Sequence, residues 1–394
     1  MAATFIAGLL SFAEAEEKLA PELVREAASV SAGYLADQIE DDGAFCYVLN
    51  LDPTVNSDKK YNILRHCGAI YSLAMYYTLQ PSDTLLERIE RSGNFLKKEC
   101  LLPLPGRDDL LAIWSRPEIN HSQNVLQAKL GGTGLGLIAL LSIEKIKPGY
   151  TSLDDLRRLG SFLVFMQKED GSFFSKYIPS QGGLYDKWHS LYYPGEAILA
   201  LLMLYEKDPS EIWFDTALKG LLYISKTQDG SKDLTVDHWF LLAAGKFFSL
   251  KNRTVLPQDY KEIVDHTIAI CGLILKQQIK EPTNPLYYGG FSEVGYTTQT
   301  AIRLEGLQSA LFFLPDKDGS TEEIKNSVEK GIGFLLRSQL KQGRFKGAIP
   351  RAISTIPEEN EQAINFNRLA KEVRIDYVQH ALSAMVQYLE RKDR

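Results

Sequence analysis

Two kinds of apolar segment alternate along this chain. Six are amphipathic, with apolar residues every three to four positions and charge on one side, as in SLDDLRRLGSFLVFMQ at 152–167. That spacing predicts helices with one buried face. Each carries a small residue ahead of bulky apolar positions, with Gln and often Gly and Phe behind. The marker glycines Gly33, Gly93, Gly160, Gly220, Gly272 and Gly331 recur at intervals of about sixty residues, the length of two helices and their connections. Between them lie six segments that are apolar almost all round and rich in small residues: 61–77, 131–143, 192–205, 236–248, 298–313 and 375–389.

A helix without a polar face must be buried on every side. Six buried helices alternating with six half-exposed ones are accommodated by an inner ring wrapped in an outer ring, an all-α (α/α)6 toroid. The expectation is a single domain over residues 1–394, with helix pairs from about 17 to 390. An open solenoid also repeats helical hairpins, but it leaves one flank of every pair in water. Its inner helices would keep a polar stripe, and these have none.

The connections add a direction. Joints from inner to outer helices are short and turn-like, LQPSD at 79–83 and EKDPSE at 206–211 among them. Joints from outer to inner helices are longer, at 43–60, 101–130, 168–191, 281–297 and 342–373, with 229–235 the exception. Long connections inside a compact fold are usually functional or disordered, and the aromatic content of these argues for function. The predicted cleft therefore lies where the inner helices begin, and six helix N-termini aimed into it favour anionic groups.

First-turn residues of inner helices supply the candidate chemistry. A carboxylate on an apolar helix is costly unless it is hydrogen-bonded or meets water, which singles out Glu196 and Glu305; Asp237 also fits an N-cap. His66, His189 and His238 fall at or near inner-helix starts and suit proton transfer near neutral pH. Candidate substrate contacts are Tyr61, Arg65, Trp188, Tyr192, Tyr193, Trp239, Arg303 and Tyr377. His266 and His380 read as structural. The histidines lack HxH or HExxH spacing, so neither a metal nor another cofactor is expected.

Composition narrows the function classes. A net charge of −6 and a pI near 5.7 argue against a sequence-independent nucleic-acid binder. Four scattered cysteines form no CxxC pair, so no zinc ribbon or disulfide framework is indicated. No run of about 20 apolar residues could span a bilayer, and the N-terminal MAATFIAGLLSFAEAEE has no Lys or Arg ahead of its apolar stretch, unlike a secretory signal. A cytoplasmic location follows as the expectation.

On the alternation of segments, the QxxxGxF-like ends of outer helices (Gln167–Phe173 most plainly) and inner helices such as YYPGEAILALLMLY, the chain resembles the six-hairpin toroid superfamily. That group includes six-hairpin glycosidases, uronate C5-epimerases, polysaccharide lyases, terpene cyclases, protein prenyltransferases and lanthionine cyclases. The DxDD acid motif of squalene–hopene-type cyclases is missing, and the zinc sites of the last two families cannot be assembled. The resemblance implies a carbohydrate-active enzyme with a small-molecule or oligosaccharide substrate, and neither nucleic acid nor membrane as partner. Hydrolysis would use Glu196 and Glu305 as its two carboxylates; epimerisation or elimination would use His189, His238 or a Tyr as base and Arg65 or Arg303 as cation. The alternatives are a tailoring cyclase or isomerase for a hydrophobic metabolite and a non-catalytic toroid that binds a glycan or peptide.

Overall fold

The computed structural model describes residues 19–56, 60–228, 234–250, 255–282, 284–316 and 319–393; the N-terminal apolar stretch lies outside them. Its helices pair in chain order, outer then inner. α1 (Pro21–Asp37) precedes α2 (Ile63–Leu79). α3 (Asp83–Cys100) precedes α5 (Leu130–Ile146), with the single turn α4 (Pro117–Asn120) in their connection. α6 (Leu153–Phe165) precedes α7 (Tyr193–Lys207), and α8 (Glu211–Thr227) precedes α9 (His238–Ser249). α10 (Pro257–Gln277) precedes α11 (Thr297–Ala310). In the last pair α12 (Ser320–Ser338) precedes α14 (Ile375–Lys392), with α13 (Glu361–Ala370) between them. Each inner helix packs on the next, and α14 returns to pack on α2, so the ring is closed. The chain has the (α/α)6 toroid fold.

The repeated sequence signature now has a physical cause. A Cβ on Gly160 would stand 2.4 Å from Leu204 of α7, and one on Gly331 2.5 Å from Leu304 of α11, so these glycines let outer helices press onto inner ones. The Gln behind them stitches the outer ring. The Gln167 amide donates to the Thr216 carbonyl of α8, Gln278 to that of Ser327 in α12, and Gln339 to that of Ala27 in α1 at 2.7 Å. The last of these joins the sixth outer helix to the first. The glycine of the following turn must approach its neighbour's backbone: Gly171, at φ +93°, would place a Cβ 2.7 Å from the Lys219 carbonyl oxygen. Only glycine tolerates that conformation and that approach together.

The connections hold more regular structure than the sequence implied. β1 (Val48–Asn50) pairs antiparallel with β7 (Glu372–Arg374), tying the first long connection to the last. β2 (Leu101–Leu104) and β3 (Arg107–Ser115) form a hairpin about Pro105–Gly106 that continues through β4 (Gln127–Lys129), β5 (Lys176–Ile178) and β6 (Gly183–Tyr185). Trp114, an aromatic of that connection, is buried in this sheet with its indole N–H donating to the Leu102 carbonyl at 3.0 Å. Among the described residues no helix is long and apolar enough to cross a membrane.

Candidate active site

The N-cap residues of the inner helices, Asn62, Lys129, Tyr192, Asp237, Tyr296 and Arg374, ring one face of the toroid. Below them, polar side chains converge from four helices: buried Glu196 of α7, Asp237 and His238 at the start of α9 and Glu305 of α11, with the partly buried His380 of α14. Close approach is built in by small residues. A Cβ at Gly131 of α5 would fall 1.9 Å from Glu196 Oε2, and one at Gly306 of α11 3.4 Å from His238 Cβ.

His380 Nδ1 lies 2.8 Å from Glu305 Oε2. Burial opposes charging this ring, but the charge and hydrogen bond of Glu305, with help from Asp376, outweigh it and raise its pKa above the ordinary 6.5. His238 is the opposite case. Its ring centroid stands 5.6 Å from that of His380, and neither of its buried nitrogens has a hydrogen-bond partner among the described residues. Burial first, then the positive fields of His380 and Arg303, push its pKa well down. The surroundings thus favour the charged form of one imidazole and the neutral form of the other. Tyr192, exposed at the mouth, lies edge-on to His238 at 5.5 Å.

Two carboxyls lie beside this pair. Burial, then the charge of Asp237, raises Glu196 to about 8; burial raises Asp237 to about 7, although it accepts hydrogen bonds from the Trp239 and Phe240 amides. Both keep a buried oxygen without a partner among the described residues. At neutral pH Glu196 is a proton donor rather than a carboxylate. His238, Glu305 and His380 are also the trio that could hold a metal ion, since one ligand atom from each lies within 4.8 Å of the others. Two imidazole nitrogens and one carboxylate oxygen suit zinc; a proton shared by Glu305 and His380 satisfies both groups without one.

Not every residue singled out by sequence comes to this place, and one that was set aside does. His380, read as structural, is in the cluster, one turn below Asp376 on the same helix face. His66 lies apart from the cluster: it is fully buried between α2 and α3, its Nδ1 taking the Tyr61 hydroxyl at 2.7 Å and its Nε2 facing the Ser92 carbonyl at 3.1 Å. Burial lowers it to about 4, and it holds an inner helix to an outer one. His189 stands exposed in the connection before α7, 3.6 Å from Asp186. Trp239 is buried against the Gly195 backbone, and Tyr377 is buried with its hydroxyl donating to Glu372 at 2.8 Å. Trp188 packs edge-on against Tyr193 at the rim, and Arg303 is tied to Gln277 of α10.

A cavity of about 570 Å³ opens at the mouth beside the cluster, over the N-termini of α2, α5 and α14. Arg65 and Tyr61 reach it. Arg65 and Arg374 both hold Asp376, at 2.9 and 2.6 Å. The sequence did not single out the other cations that line it.

No family model matches the chain, and no curated protein does. Solved structures of similar shape are many. They include the cellobiose 2-epimerase of Bacillus thermoamylovorans, 12% identical over 94% of this chain and 98% of that one, with a TM-score of 0.66. A D-mannose isomerase matches at 11% identity over 94% and 98%, TM-score 0.66. An unsaturated glucuronyl hydrolase specific for heparin matches at 13% over 95% and 99%, TM-score 0.62. At these identities the likeness establishes the toroid and not the reaction.

Proposed function

We propose that this chain is a carbohydrate-active enzyme that moves a carbon-bound proton, an isomerase or epimerase of a sugar. The observation that carries this reading is the pair His238 and His380, 5.6 Å apart between ring centroids, with surroundings that push their pKa values in opposite directions. Neutral His238 takes the proton from a C–H beside a carbonyl carbon, and protonated His380 gives its proton to the carbonyl oxygen as the enediol forms. His238 then gives its proton to the neighbouring carbon, or to the opposite face of the same carbon once the enediol has turned, while an enediol hydroxyl returns its proton to His380 as the carbonyl re-forms, so atoms balance. Glu305 keeps His380 charged and oriented, a positioning role. Toroids of the same fold that act on cellobiose and mannose lend support by analogy. General acid–base catalysis of this kind is typically worth 10²–10⁴-fold per group.

Hydrolysis is the second reading, favoured by Glu196: a carboxyl still protonated near pH 7, next to Asp237, is what a glycosidic leaving group needs. One experiment separates the two. The protein is incubated with a panel of reducing sugars and uronates in D2O and followed by NMR. Deuterium appearing on carbon, lost in His238→Asn and His380→Asn, is the expected result. New reducing ends with no deuterium on carbon would replace proton transfer with hydrolysis.

A further inference from the structure

The cavity at the mouth is more strongly charged than the protein around it. Among the described residues six cationic side chains line it, Lys60, Arg65, Lys129, Arg351, Arg368 and Arg374, with one carboxylate, that of Glu372. Yet the whole chain carries a net charge of −6. Asp376, just below, accounts for two of the six by holding Arg65 and Arg374. Among the described residues neither Lys129 nor Arg351 has a carboxylate within ion-pairing distance. Lys129 shows the consequence: burial first, then the positive fields of Lys176 and Arg65, lower its pKa. Concentrated like charge in a concave site is unfavourable for an empty protein and is retained where an anion is bound. The N-termini of α2, α5 and α14 add their dipoles in the same sense.

We infer that this cavity is a subsite for a saccharide bearing more than one oxyanionic group, carboxylate or sulfate. The cations come from four separated stretches, 60–65, 129, 351 and 368–374, which the toroid and the β1–β7 pairing bring together. A volume of about 570 Å³ is that of a small-ligand site and admits a sugar unit or two, not a nucleic-acid duplex. Polar neighbours suited to hydroxyls line it as well: Tyr47, Asn50, Asn62, Asn120 and Asn124. Asp376, which holds Arg65 and Arg374, lies one helical turn above His380, so α14 connects the cations to the acid–base pair. The inference rests on the proposed reading for its sugar, but its anion specificity stands or falls by itself.

The test is equilibrium binding by calorimetry, without turnover. The probes are tetragalacturonate, a sulfated dextran oligosaccharide, their neutral galactose and glucose tetramers, and inorganic sulfate. Both charged oligosaccharides, or one of them, should bind at least ten times more tightly than the neutral forms and inorganic sulfate, and more weakly as salt rises. The stronger of the two identifies the anion. Lys129→Gln and Arg351→Gln should each weaken the charged probe by about tenfold, the usual worth of one charge-assisted contact, and leave thermal stability in place. If a variant fails to fold, the salt dependence on the unaltered protein still decides. Equal affinity for neutral and charged oligosaccharides, no binding of either charged one, or inorganic sulfate binding as tightly as they do would overturn the inference. Charged probes that bind without deuterium exchange leave the subsite intact and remove the proton-transfer reading instead.

Discussion

Replacing Glu196 by Gln should stabilise the protein, and increasingly so as pH rises. Its carboxyl titrates at about 8 in the folded chain against an ordinary 4.5, because burial and then the charge of Asp237 disfavour its ionised form. Between those values the native state holds a proton that the unfolded chain has released, so stability is full below 4.5 and falls as pH rises towards 8. At about 1.36 kcal/mol per pH unit the loss is on the order of 5 kcal/mol. Glu196 is 5% exposed, so solvent screening does little to reduce it. Asp237 is raised in the same direction, but the two share one electrostatic conflict and their losses do not add. Urea unfolding at pH 5 and at pH 8.5, for wild type and Glu196→Gln, isolates the effect because other titrations cancel in the difference. The stability difference should grow by several kcal/mol over that interval in favour of the variant. A difference that stays flat to within about 0.5 kcal/mol, larger than the usual precision of such comparisons, would mean that Glu196 ionises freely and is no proton donor at neutral pH.

Other expectations follow from single contacts. Glu305→Gln removes the counter-charge of His380 and should lower its pKa, read from imidazole NMR shifts during titration; an unchanged value would deny the pairing. Gln339→Ala leaves the Ala27 carbonyl short of a buried donor where α12 meets α1 and should cost about 2 kcal/mol, seen in urea unfolding. Gly160→Ala would force a Cβ to within 2.4 Å of Leu204 and should cost about 1–3 kcal/mol by overpacking; a neutral result would show that the outer helix moves away freely.

The toroid was legible because its causes are local and repeated. Gly160, Gly220 and Gly331 each meet an inner-helix side chain, and Gln167, Gln278 and Gln339 each bond the next outer helix, so one contact printed the same residue several times along the chain. Asp237 was equally legible as a cap, since its partners are two and three residues away. The site is a different matter. His380 was set aside because nothing near it in sequence is unusual; its meaning lies in Glu305, seventy-five positions away. His66 shows the converse, a first-turn histidine whose ring nitrogen meets the Ser92 carbonyl of an outer helix, a contact that its place in the sequence does not announce. Lys129, Arg351 and Arg368 carried no signal at all, since a lone cation in a connection is ordinary until the fold gathers it with others. The short strands were missed because three-residue pairings such as β1 with β7 leave no periodicity to read; only the Pro105–Gly106 turn offered a hint.

The inner ring divides into two halves with different tasks. α7 and α9 present Glu196, Asp237 and His238, groups whose protonation is displaced by burial, and α11 presents Glu305, the partner of His380. α2 and the start of α5 present Arg65 and Lys129, basic side chains that line the open cavity. α14 belongs to both, with Arg374 and Asp376 at the mouth and His380 one turn deeper. Asp376 links the halves electrostatically. It holds Arg65 and Arg374 and also helps to keep His380 charged. An anion that drew Arg65 and Arg374 towards itself would leave Asp376 less neutralised and strengthen its hold on the His380 proton. Asp376→Asn should therefore weaken that coupling: the rise in His380 pKa on adding tetragalacturonate or sulfated dextran, measured by imidazole NMR, should shrink. A rise of equal size in wild type and variant would show that the anion acts on His380 directly and that Asp376 merely anchors the arginines.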